Sequence, residues 1–198
     1  MAKVNAHMEM SLDGFIADPN DGIEQLFVWY FSGEVTVPTA SSQMPPFQTD
    51  AASAEVLRDA LANTGALIAG RRLFDIAGGW GGTHPLGVPV FVVTHRVPDG
   101  WPRDDAPFTF VTDGVEQAVA QAKTVAGDKT VTVASPNIAQ QCLNAGLLEE
   151  VVVSLVPVLL GEGIRFFDHL KDTPVQLEGP RVVEGTGVAH LSYLVQSR

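Results

Sequence analysis

Gly70-Arg71-Arg72 sets two guanidinium groups between an apolar run, Ala66–Ala69, and a stretch patterned as a helix. Guanidinium forks and unpaired backbone N–H groups at a strand-to-helix turn bind phosphate well. Two solvated arginines on a helix surface are the plainer reading of the same residues. Thr94-His95-Arg96 ends a second apolar run, Val88-Pro-Val-Phe-Val-Val, and is either another place for an anion or an exposed turn before Pro98. Ala134-Ser135-Pro136-Asn137 follows a third run, Thr130-Val-Thr-Val. Ser135 and Asn137 are helix-capping types that also serve as hydrogen-bond donors. Asp13 closes a fourth run in Ser11-Leu12-Asp13-Gly14, and is either an Asp-Gly turn or a site carboxylate. Trp80, inside Gly78-Gly-Trp-Gly-Gly82, either stacks on a planar ligand or pins its loop to the core.

Other chemistries lack their residues. His7, His84, His95, His169 and His190 show no metal-ligand spacing, and no Gly-x-Ser-x-Gly elbow is present. No metal is therefore expected. The single cysteine, Cys142, forms no internal disulfide and reads as a packing residue. Gly161-Glu-Gly163 has no glycine three residues later and opens no long helix, so the Rossmann dinucleotide fingerprint is absent. A net charge of −11 argues against nucleic acid or an anionic membrane as partner. An anionic ligand then needs a local positive patch. The N-terminus interleaves charged and apolar residues, unlike a signal peptide, and Val151–Leu160 is too short for a span, so a cytoplasmic protein is expected.

The elements that position these residues follow from periodicity. At 198 residues, 45% hydrophobic and 18% charged, the chain suits one domain over 1–198. Val4, Ala6, Met8 and Met10 alternate with Lys3, Asn5, His7 and Glu9, which predicts a strand over 3–10. Residues 18–48 carry four prolines and Trp29-Tyr30-Phe31, and read as a long irregular lid or binding loop. Helices are expected over 53–64, from Gly70 to about Gly78, and over 115–125 and 137–145. Strands are expected over 66–69, 88–94, 108–111, 130–134 and 150–160. This alternation implies an α/β fold with a mostly parallel sheet. Runs 175–184 and 188–196 are separated by three residues, too few for a crossover, and form a C-terminal antiparallel hairpin.

Taken in order, Ser-Leu-Asp-Gly, Gly-Arg-Arg, Thr-His-Arg, Ala145-Gly-Leu-Leu-Glu-Glu150 and Val156-Pro-Val-Leu-Leu-Gly161 resemble the dihydrofolate-reductase-like fold, a three-layer sandwich, in its riboflavin-biosynthesis reductase (RibD C-terminal) branch. The resemblance implies an NADPH-dependent oxidoreductase that transfers a hydride to a small heterocyclic or carbonyl substrate, as the 5-amino-6-(5-phosphoribosylamino)uracil reductases do. It puts Gly70, Arg71, Arg72 and the 134–137 loop on the phosphates, and Thr94, His95 and Arg96 on an adenosine 2′-phosphate. It puts Asp13, as the catalytic polar group, with Ser11, Trp29, Trp80, Gly161 and Gly163 on the substrate side. Two departures stand out: Leu73 replaces a common threonine, and Ala134-Ser135 replaces a Gly-Gly pair, whose added Cβ atoms narrow the approach to a pyrophosphate. The bifunctional enzymes carry a zinc deaminase domain ahead of the reductase, so at most the reductase half is expected. The departures favour an alternative, a non-catalytic dimeric binder on a reductase scaffold. A homodimer is expected in either case, through Val151, Val153, Leu155 and Val158 and through Val182, Val188, Leu191, Tyr193 and Val195.

Overall fold

Alternation at the N-terminus makes β1 (Val4–Ser11), with Val4, Ala6 and Met8 buried on one face and Asn5, His7 and Glu9 half-buried on the other. The computed structural model describes residues 2–196; Met1, Ser197 and Arg198, at the ends of the expected 1–198 domain, lie outside the described residues. After β1 come β2 (Phe15–Ala17), α1 (Glu24–Phe27), β3 (Val35–Val37), β4 (Phe47–Thr49) and α2 (Ala51–Asn63). Next are β5 (Thr64–Gly70), α3 (Arg71–Ile76), β6 (Val90–Val93), β7 (Phe108–Val111) and α4 (Val115–Ala126). The chain continues through β8 (Thr130–Val133), α5 (Pro136–Asn144), β9 (Glu150–Val156), β10 (Ile164–Arg165), β11 (Leu177–Gly185) and β12 (Val188–Val195).

Eight strands form one sheet in the order β11-β12-β9-β1-β8-β5-β6-β7, and β9 through β7 in that order run parallel. Only β12 runs the opposite way: it pairs antiparallel with β9 on one side and, through the two-residue turn Thr186-Gly187, with β11 on the other as a hairpin. Helices α4 and α5 cover one face, where Val4, Ala6, Ile68, Val131, Val133, Val151 and Val153 meet Ala118, Ala122, Ile138 and Cys142. On the other face, α2 and the 24–49 segment pack Leu26, Trp29, Tyr30, Phe47 and Leu57 against Val156 and Val188. A third cluster, under β5 and β6, centres on Phe74, Val90 and Phe108.

Four sequence expectations need adjusting. The 150–160 strand stops at Val156, since Pro157 has no N–H to continue the ladder and the Val158 N–H turns back to the Val156 carbonyl at 2.8 Å. The 53–64 helix begins earlier, at Ala51, because the Asp50 side chain caps it by accepting from the Ala52 and Ser53 N–H groups. The 18–48 stretch is largely built rather than irregular: it holds α1 and the β3–β4 pair, and it contributes a core cluster. Val151 and Val153, expected at a dimer contact, are instead buried in the main core cluster of the chain.

Candidate functional site

A cavity of ≈ 830 Å³ opens where β5, β6, β7 and β8 all end, the position at which open α/β sheets bind ligands. Gly70 ends β5, Thr94 follows β6, Thr112 follows β7 and Ala134 follows β8, and all four line the cavity. Every expected phosphate-side residue lines it: Gly70, Arg71, Arg72, Thr94, His95, Arg96, Ala134, Ser135, Pro136 and Asn137. Ile16 and Ala17 of β2 and Ile164 of β10 form the opposite wall. Leu73, at the position of the common threonine, also faces the cavity.

The three arginines are already engaged. Arg71 sends Nε to both Asp75 oxygens, at 2.8 and 2.9 Å, and Nη1 to the Arg96 carbonyl at 2.8 Å. It thereby ties α3 to the turn after β6. Arg72 forms a two-pronged ion pair with Asp21, at 2.9 and 2.8 Å, and that carboxylate raises the guanidinium's pKa. Arg96 is the most open, its side chain 83% exposed and 3.4 Å from Asp99. Arg71 and Arg96 are shared with a neighbouring notch of ≈ 210 Å³, lined also by Val97, Pro98 and Asp99. The Thr94 hydroxyl donates to the Arg96 carbonyl at 2.8 Å, and so shapes the turn.

The Ser135 hydroxyl, unlike its Cβ, is turned away from the cavity. Only 4% exposed, Ser135 turns its Oγ inward to accept from the Gly70 N–H at 2.8 Å. Nor does its hydroxyl cap α5, although Ser135 occupies the capping position. Asn137 Oδ1 likewise turns along its own helix, accepting from Gln141 Nε2 at 2.7 Å. With Pro136 at the first turn, the N–H groups of Asn137 and Ile138 have no intrahelical carbonyl, and both residues line the cavity.

The expected substrate-side residues are not brought together at this cavity. Asp13 accepts from Ser11 Oγ at 2.6 Å and from the Leu160 and Gly161 N–H groups at 3.2 and 2.7 Å. Those bonds, the Ser11 hydroxyl's above all, lower its pKa, so it clasps two loops as a carboxylate and is a poor proton donor. Gly163 has φ +144, and a Cβ there would overlap the Ala17 carbonyl, so it serves the close approach of β10 to β2. Trp29 is 2% exposed, stacks on Tyr30 at 3.9 Å and meets His190 edge-on: a core residue, not a wall. Trp80 packs on Phe108 and His84, and pins its loop.

Beneath α2 runs a buried polar chain that the sequence pattern did not single out. His7 Nε2 lies 3.1 Å from Ser154 Oγ, which lies 3.1 Å from His190 Nδ1, and His190 Nε2 reaches Ser53 Oγ at 3.1 Å. Burial pushes His190 down to about 4, with His7 acting the same way against the opposing charges of Glu9 and Asp50. Beside it the Tyr30 hydroxyl donates to Glu9 Oε1 at 2.6 Å. Among cavity residues, Asp21, Thr112, Gly114 and Ile164 were also missed. Thr112 and Gly114 stand after β7 as Thr94 does after β6, so the strand-end rule reaches them.

No cluster of three or more metal-ligating side chains occurs among the described residues, and none of their helices is long and apolar enough to cross a membrane. Among curated proteins, none matches the chain. Among solved structures, a putative riboflavin biosynthesis protein from Shewanella sp. PV-4 is 22% identical with a TM-score of 0.70, covering 100% of both chains. Riboflavin Biosynthesis Reductase Rib7 of Saccharomyces cerevisiae is 10% identical, TM-score 0.64, covering 98% of this chain and 90% of its own. Dihydrofolate reductase from Enterococcus faecalis, complexed with NADP(H), is 13% identical, TM-score 0.60, covering 98% and 97%. The fold is thus dihydrofolate-reductase-like. Residues 2–186 match the family described as the RibD C-terminal domain, and the chain belongs to that family.

Proposed function

We propose that this protein is a reductase that binds NADPH in the strand-end cavity and passes its hydride to a small heterocyclic or carbonyl substrate, of the class to which 5-amino-6-(5-phosphoribosylamino)uracil belongs. One observation carries the reading: an ≈ 830 Å³ cavity across four parallel strand ends, with Arg71, Arg72 and Arg96 on its wall in a chain of net charge −11. The size suits a ligand that buries most of its surface. The donors fit the group as well. The N–H groups at the start of α5 would hold phosphate oxygens, and the Arg71–Arg96 notch would suit a further phosphate on the ribose. NADPH, when bound, supplies the hydride. Ile16, Ile23, Ile138 and Ile164 give the cavity apolar walls, while α3 and the 94–96 turn, clamped by Arg71, hold the cationic end in place.

Fluorescence titration tests the reading. NADPH is expected to bind roughly tenfold or more tightly than NADH, with Arg96→Ala removing most of that preference, since charge-assisted contacts are worth about 1.5–3 kcal/mol. Equal affinities, or an unchanged preference in Arg96→Ala, sink the assignment. The binder reading retains one specific support: both Asp13 oxygens are committed to loop contacts. Hydride transfer to any heterocyclic or carbonyl compound by the NADPH-bound protein decides between the two.

A further inference from the structure

Asp21 is the one carboxylate among the described residues that line the main cavity, and it faces a wall carrying three arginines. Its two oxygens take Arg72 Nε and Nη2 at 2.9 and 2.8 Å, the same fork that two oxygens of a phosphate would take. We propose that Asp21 is the cavity's built-in counter-anion: it holds Arg72 until a phosphate of the entering nucleotide displaces it, and so sets the affinity for phosphate-bearing ligands. The inference rests on the nucleotide reading above and adds a residue to it.

The turn that carries Asp21 is shaped to present it. Asp18 Oδ1 accepts from the Asn20 and Gly22 N–H groups at 2.7 and 2.8 Å, and the Asp18 N–H donates to the Gly22 carbonyl at 2.9 Å. Asp21 sits there with φ 66, a left-handed conformation that Asp and Asn tolerate better than most residues. A Cβ on Gly22 would run into the Asp18 carboxylate, so the turn keeps its glycine. The two partners differ in cover: Asp21's side chain is 22% exposed and Arg72's is 69%. The fixed carboxylate therefore stays while the more exposed guanidinium swings to a new partner. The other two pairs differ in kind, because Asp75 and Asp99 stand outside the main cavity's lining.

The test is NADPH titration of four full-length proteins: wild type, Asp21→Asn, Arg72→Gln and the double variant. Asn keeps the left-handed turn while removing the charge. Asp21→Asn is expected to bind NADPH about two- to fivefold more tightly, the range a partly exposed ion pair is worth, and to lose that gain in the double variant. Asp21→Ser serves as a second uncharged variant and is expected to show the same gain. Wild-type or weaker affinity in Asp21→Asn, with wild type binding NADPH, overturns the counter-anion and leaves the cofactor reading standing. A gain that persists without Arg72 also overturns it, since repulsion alone would then explain the effect. No binding by any variant overturns both.

Discussion

Removing the Ser135 hydroxyl tests whether this residue supports the cavity rather than obstructing it. In Ser135→Ala the Gly70 N–H loses its 2.8 Å acceptor between β5 and the β8–α5 turn. An unsatisfied buried donor costs about 1–3 kcal/mol; with Gly70 half-buried and some water able to reach it, about 1–2 kcal/mol is expected. Ser135→Gly should cost about 0.5–1 kcal/mol more, because Ser135 has φ −143 and ψ 131, where a non-glycine residue is at ease. For a chain of this size each kcal/mol lowers Tm by roughly 2–4 °C, so thermal unfolding followed by circular dichroism resolves both steps. NADPH affinity should stay flat or fall in either variant, since the Oγ points away from the ligand space. Gly70→Ala is the control: its new Cβ would meet Ser135 Oγ at 3.4 Å and Ile138 Cγ1 at 3.5 Å, ordinary contacts that leave stability nearly unchanged. Wild-type stability in Ser135→Ala, or tighter NADPH binding in Ser135→Gly, would refute this account.

Two further outcomes follow from buried groups and exposed edges. His190, held at about 4 by burial against 6.5 in the unfolded chain, contributes nothing adverse above pH ~6.5 and destabilises as pH falls toward ~4, by up to about 3 kcal/mol. Denaturant unfolding at pH 7 and pH 4.5 should show a smaller drop for His190→Gln than for wild type; equal drops would exclude the buried imidazole as the cause. Asp50, near 2, titrates below that window and does not contribute to it. On the hairpin, exposed Leu177 and Val182 pair with half-buried Val195 and Leu191, extending an apolar stripe past the helices, and we propose that a second copy covers it. Light scattering at micromolar concentration should give twice the 21.1 kDa chain mass, and a monomer mass rules the dimer out.

How far the site was legible depends on sequence separation. Strand ends are local: apolar runs stop at Gly70, Thr94 and Ala134, and the parallel arrangement then brings those ends to one cavity. What each side chain does there is not local. Asp21 meets Arg72 across 51 positions, Ser135 meets Gly70 across 65, and Asp13 meets Gly161 across 148. Each of these residues carried the right chemistry for a ligand and spends it on another part of the chain. Trp29 was misread for a related reason: an aromatic in a proline-rich stretch looks like a binding wall until β9 and β12 are seen to supply the surface that buries it.

The arginine pairs also explain how a chain of net charge −11 keeps a cationic cavity at all. Three guanidinium groups on one wall repel one another, a cost that falls on the empty state. Asp21, Asp75 and Asp99 lower it, one carboxylate to each arginine. The same contacts then oppose binding, because any phosphate must outcompete a carboxylate that is already in place. The three pairs differ in how much they oppose. Asp99 is 96% exposed and 3.4 Å away, so Arg96 is released almost without cost, whereas Asp75 lies on the same helix as Arg71 and keeps it aligned with the 94–96 turn. Asp21 alone holds its arginine from across the cavity. Its removal is therefore the change that should trade stability of the empty protein for affinity, and Arg96 the position where affinity responds without that trade.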